Sequence, residues 1–84
     1  RELDAMRFYD RAITAAHANG FPQNEAIANE RAGRFYTTRG FNKIAIAYLR
    51  DAHYGFIRWG AEPKVRQLEH LYPRLHVAED AGSA

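Results

Sequence analysis

Gly20, Gly40 and Gly60 divide the chain at a fixed interval, and each is followed by an apolar residue: Phe21, Phe41 and Ala61. Glycine adopts the left-handed backbone that closes a helix without a Cβ penalty, and an apolar residue just beyond it can fold back onto the last turn. Start signals follow each stop. Pro22, Gln23 and Asn24 open one run, Asn42 is placed to cap the next, and Glu62-Pro63 puts proline where a first-turn N–H lacks a partner anyway.

The four segments between these marks carry helical periodicity, and strand alternation is sustained nowhere. Segment one, 2–19, aligns Met6, Tyr9, Ile13 and Ala16; segment two, 23–39, aligns Ala28, Ala32, Phe35 and Tyr36. Segment three, 42–59, aligns Ile44, Ala45, Tyr48, Leu49, Ala52 and Phe56, with Ala47, Tyr54 and Ile57 off that stripe. A helix apolar on two sides packs between neighbours. Segment four, 62–72, aligns Val65, Leu68, Leu71 and Tyr72 and stops before Pro73. Connections this short reverse the chain, so the expected fold is all-α, about four helices in antiparallel hairpins. A period of about 40 residues per pair marks a helical repeat. Trp59 is expected to plug the core against the fourth segment, near Leu68.

With 84 residues there is room for one small domain with a thin core. The 46% hydrophobic content argues against disorder. No apolar run approaches the ~20 residues of a membrane span. There is no cysteine, which removes disulfides and thiolate metal sites and is compatible with a reducing cytoplasm, the expected location. The opening Arg1-Glu2-Leu3-Asp4 lacks a starting Met and a signal peptide, which suggests a piece of something longer. Residues 1–76 are expected to form the helical segment, and 77–84, small and polar, a tail or linker start.

Segments two and three resemble one tetratricopeptide repeat, carried by Gly33, Tyr36, Gly40, Ala45, Leu49 and Ala52. The usual early Trp is Asn29 here and the usual closing Pro is Ile57. Ala5, Tyr9 and Ala12 give segment one the look of the second half of a preceding repeat. The unit exceeds the standard length of about 34 residues, so the superhelix is expected to differ in shape. A narrower resemblance runs through Ala26-Ile27-Ala28-Asn29-Glu30, Phe35-Tyr36, Arg39-Gly40-Phe41, Ala45, Ala47-Tyr48-Leu49-Arg50-Asp51-Ala52, Arg58-Trp59-Gly60-Ala61 and Lys64-Val65-Arg66-Gln67-Leu68. These residues resemble the helical-repeat region of large bacterial multidomain sensor histidine kinases. In that family a protein-kinase-like domain and an ATPase-type module precede the repeats, and a GAF sensor domain and the histidine kinase follow. The resemblance implies a two-component signalling protein in which this segment couples the upstream module to the downstream sensor and kinase.

The residues themselves suggest no chemistry. His17, His53, His70 and His76 each lack the acidic neighbour of a phospho-acceptor histidine, and are expected on helix surfaces or ends. No two histidines stand four apart to share a metal, and Glu69 and His70, being adjacent, point apart. Gly40-Phe41-Asn42-Lys43 lacks the second glycine and hydroxyl of a phosphate loop. The segment is therefore read as a non-enzyme with no cofactor and no metal, and any ATP chemistry lies elsewhere in the parent. Its expected partners are proteins: adjacent repeats or domains of the parent chain, or a second copy. In the tetratricopeptide pattern the first helix of a pair lines the concave side, which would present Ile27, Glu30, Arg34, Thr37 and Thr38. The alternative is a basic nucleic-acid-binding module, since residues 31–58 hold Arg31, Arg34, Arg39, Lys43, Arg50 and Arg58 against Asp51 alone. Arginines coating the solvent sides of two helices explain the same pattern more simply.

Overall fold

The three glycine marks fold into one turn used three times. Gly20, Gly40 and Gly60 have φ of 69°, 82° and 82°. After each, the next N–H donates back to a carbonyl five residues earlier: Phe21 to Ala16, Phe41 to Tyr36 and Ala61 to Phe56. This is the pairing that closes a helix C-terminus. The carbonyl of the same apolar residue then accepts the first bond of the next helix, from Glu25, Ala45 and Val65 respectively.

In the computed structural model, which describes residues 1–75, these turns separate α1 (Glu2–Ala18), α2 (Pro22–Thr38), α3 (Asn42–Trp59) and α4 (Glu62–Leu71). There is no strand among the described residues. The expected tail 77–84, and the boundary at residue 76, lie outside them. One expectation about the turns is corrected. Asn42 does not cap α3: it is already helical, and Phe41 occupies the cap with no side-chain hydrogen bond. The turn leaves a single residue between the left-handed glycine and the next helix, and that residue is committed to apolar contact. Phe41 lies edge-on to Tyr36, ring centroids 6.5 Å apart.

Each helix packs on its neighbours in sequence; among the described residues no other pair of helices brings Cα atoms within 8 Å. The α2–α3 pairing is the most intimate, and small residues make it so. A Cβ at Gly33 would fall 2.5 Å from Leu49 Cγ, and one at Gly55 would fall 2.8 Å from Ala26 Cβ. Contacts 33–49 and 26–55 run in opposite senses, so the two helices are antiparallel. Two apolar clusters result. Ala26, Ile46, Leu49, Ala52, Phe56, Leu68 and Leu75 tie α2, α3 and α4 together. Ala32, Tyr36 and Ala45, flanked by Tyr9, Ile13, Phe35 and Tyr48, tie α1, α2 and α3. Tyr36 stacks on Tyr48 at 5.3 Å.

Helix α3 does pack on two sides, as its composition implies, but not through the residues expected. The side toward α4 is served by Ile46, Phe56 and a buried His53, whereas Tyr54 and Ile57 are exposed. Ile44, Met6 and Leu71 are exposed as well. Met6 lies on a helix covered from one side only, and Leu71 lies in the last turn of the short α4. Trp59 is also corrected. It is 45% exposed and stacks on Phe56 at 5.9 Å, outside the cluster that contains Leu68. The smaller Leu68 is fully buried and fills the space assigned to the indole.

Candidate interaction grooves

Two surface clefts border α2 and share Trp59 as a lining residue. The first lies between α2 and α4. It encloses about 350 Å³ and is lined by Ile27, Glu30, Arg31, Arg34, Phe56, Trp59 and Lys64. Its centre is Glu30, only 6% exposed. One carboxylate oxygen of Glu30 accepts from Arg34 Nη2 and from Lys64 Nζ, both at 2.8 Å. Lys64 also donates to Gln67 Oε1 at 2.7 Å and sits 5.5 Å from the Phe56 ring centre. A carboxylate this buried is tolerable only when paired. The pairing also tethers α4 to α2, two helices whose backbones do not touch. Arg31 forms no ion pair among the described residues, so the cleft carries an excess of positive charge around its apolar floor.

Of the five residues expected on a partner-binding face, Ile27, Glu30 and Arg34 therefore meet in one cleft. Thr37 and Thr38 do not. The Thr37 hydroxyl donates to Gly33 O, and the residue borders a different, smaller depression with Asn42, Leu71 and Arg74. Thr38 donates to Phe35 O and is exposed. Both bonds are the backward bonds that a helical threonine makes to a carbonyl of the preceding turn. Glu30 is held far deeper than a groove residue was expected to be. Lys64, which holds it, lies 34 residues away and gave no signal in the sequence.

The second cleft lies between the C-terminal end of α1 and the second half of α3, over the start of α2. It encloses about 570 Å³ and is lined by His17, Pro22, Gln23, Glu25, Ala26, Asn29, Asp51, Tyr54, Gly55, Arg58 and Trp59. His17 Nδ1 lies 3.3 Å from both oxygens of Glu25. The Asp51 carboxyl is held above its ordinary value, first by partial burial and then by the charge of Glu25, against the opposing effect of Arg50. The Arg58 guanidinium lies 5.6 Å from the Tyr54 ring centre.

The basic residues of 31–58 are dispersed by this geometry. Arg31 and Arg34 border the first cleft and Arg58 the second. Arg39 lies 3.8 Å from the Phe35 ring centre and 3.6 Å from Glu2, at the α1 edge. Among the histidines, the expectation of helix surfaces or ends fails for His53. It is 2% exposed, and its Nε2 lies 2.8 Å from Glu69 Oε2, joining α3 to α4. Spacing alone could not find that pair, because its members are 16 residues apart. No group of three His, Asp or Glu side chains among the described residues is placed to hold a metal ion. No described helix is long and apolar enough to cross a membrane.

Comparison with known proteins finds a stretch of 55 residues, 66% of this chain, that is 40% identical to part of "Hybrid signal transduction histidine kinase G" of Dictyostelium discoideum. The match spans about 2% of that protein's length. No family model matches the chain, and no solved structure matches it.

Proposed function

We propose that the chain is a non-catalytic, tetratricopeptide-like interaction segment of a signalling protein. In this reading it is held between an upstream ATPase-type module and a downstream sensor and histidine kinase. The observation that carries the reading is the set of exposed large apolar side chains on both outer helices of a regular array. Leu3, Met6 and Phe8 are exposed on α1, Phe8 by 66%. Leu71 is exposed on α4 at the other end, and Ile44 and Ile57 are exposed on α3. Helical repeats bury such faces by stacking on further helices. The similarity to part of a histidine kinase supports the signalling context. The mechanism is docking: a shift in how the outer helices pack on neighbouring modules alters the output of the kinase.

Protein partners are favoured over nucleic acid by the dispersal of the arginines, three of which are already engaged with Glu30, Glu2 and the Tyr54 ring. A phosphate-tracking surface needs its cations along one groove. The test is made in the parent protein. Phe8→Asp and Ile57→Asp should abolish the response of histidine autophosphorylation to the upstream module while leaving its basal rate intact. An unchanged response in both variants refutes the coupling role. Salt-sensitive retention on generic RNA, lost in Arg34→Ala and Lys43→Ala, would favour nucleic acid instead.

A further inference from the structure

The cleft between α1 and α3 contains a polar group that the fold leaves without a partner. Asn29 is 5% exposed, yet its side-chain amide makes no hydrogen bond to any described residue. Buried side-chain amides are ordinarily satisfied, and leaving one open costs stability. Among the described residues no side-chain nitrogen or oxygen that is fully sealed from solvent lacks a partner, so the Asn29 amide reaches the space of the cleft that it lines.

Two carboxylates border the same space. Glu25 has only the exposed His17 as a partner, and Asp51 makes no ion pair with any described residue, although Arg58 lines the same cleft. The mutual repulsion of Glu25 and Asp51 contributes to the raised Asp51 carboxyl. The walls are aromatic, each with one face in use: the Arg58 guanidinium lies 5.6 Å from the Tyr54 ring centre and Phe56 stacks on Trp59, while Tyr54 is 61% and Trp59 45% exposed. At Gly55 the absence of a side chain keeps α2 and α3 close.

We propose that this cleft binds an arginine side chain of a partner protein, with Glu25 and Asp51 accepting from the guanidinium, the Asn29 amide oxygen accepting a further N–H, and the Tyr54 and Trp59 rings flanking its plane. A guanidinium supplies several donors in a fixed plane and stacks on aromatic rings, whereas an ammonium is a point charge. The site shares Trp59 with the Glu30 cleft but otherwise draws on different residues of α2.

The test uses acetyl-arginine amide, acetyl-citrulline amide and acetyl-lysine amide, titrated into the 84-residue chain and followed by NMR at the Asn29 side-chain NH2 and the Trp59 indole N–H. The arginine compound should give saturable shifts at both probes and move the Asp51 carboxyl titration downward. Citrulline, equal in shape but uncharged, should give none. Asp51→Asn should weaken arginine binding about tenfold, as expected for a charge-assisted hydrogen bond. Its backbone spectrum should otherwise match the wild type, since Asp51 is exposed and supports no packing. Equal binding of citrulline, equal binding of lysine, or unchanged affinity in Asp51→Asn each overturns the assignment.

Discussion

Gly33→Ala is an informative single change, because two opposing effects act on it and the structure determines which prevails. In a free helix the substitution would stabilise by about 1 kcal/mol, since glycine is the poorer helix former. In this chain the new Cβ would fall 2.5 Å and 2.6 Å from Leu49 Cγ and Cδ2. Leu49 is 1% exposed and locked in the α2–α3–α4 cluster, so it cannot swing clear without disturbing Ala52 and Phe56. Overpacking of this kind costs roughly 1–3 kcal/mol. The net expectation is destabilisation of about 1 kcal/mol, read as a lower urea midpoint at unchanged slope. A double-mutant cycle isolates the cause. Leu49→Ala alone should cost roughly 2–5 kcal/mol. In that background Gly33→Ala should become neutral or stabilising, giving a coupling of roughly 1–3 kcal/mol. All four proteins can be measured with the same stabilising osmolyte. If Gly33→Ala stabilises the wild-type chain by its full helix propensity, or if the two changes are additive, the close approach of α2 and α3 is wrong.

Three further outcomes are expected. Phe56→Ala should cost roughly 3–5 kcal/mol and Trp59→Ala about half that or less, since only the phenyl ring is fully buried; thermal melts of the two variants should rank in that order. Lys64→Met removes one donor from a nearly buried carboxylate and should lower stability by roughly 1–2 kcal/mol, while raising hydrogen exchange in α4 more than in α2. Asp51 holds its proton more tightly in the folded chain than in the unfolded one, so its contribution is fully present below the ordinary Asp value of 3.8 and is lost as pH rises through its raised folded-state value. Asp51→Asn should therefore be the more stable protein at neutral pH, with the difference vanishing in acid, as read from urea midpoints across that range.

The helix order was legible because its signals are local. Gly20, Gly40 and Gly60 mark the stops, Pro22 and Pro63 mark first turns, and the apolar spacing between them is unbroken. What remained hidden is long-range. Glu30 reads as a surface residue until Lys64 of α4 is seen to close over it. His53 reads as an exposed histidine until Glu69 is placed beside it. Trp59 was misplaced because its size suggested a core plug, whereas Leu68 and Leu75 already fill that core. The candidate face was half legible: periodicity put Ile27, Glu30 and Arg34 on one side of α2, but it could not exclude Thr37 and Thr38, whose separation depends on where α4 lies. The α1–α3 cleft gave no sequence signal, since Asn29 and Asp51 are brought together only by the pairing of α2 with α3.

Hydrogen exchange, compared between these residues alone and the same residues within the longer signalling protein proposed above, tests the interaction role most directly. Amides of α1 and α4 should be strongly slowed in the parent, while those of the central α2–α3 hairpin change little. Identical exchange of α1 and α4 in the two settings would mean that nothing docks on the exposed Leu3, Met6, Phe8 and Leu71, and would contradict the account.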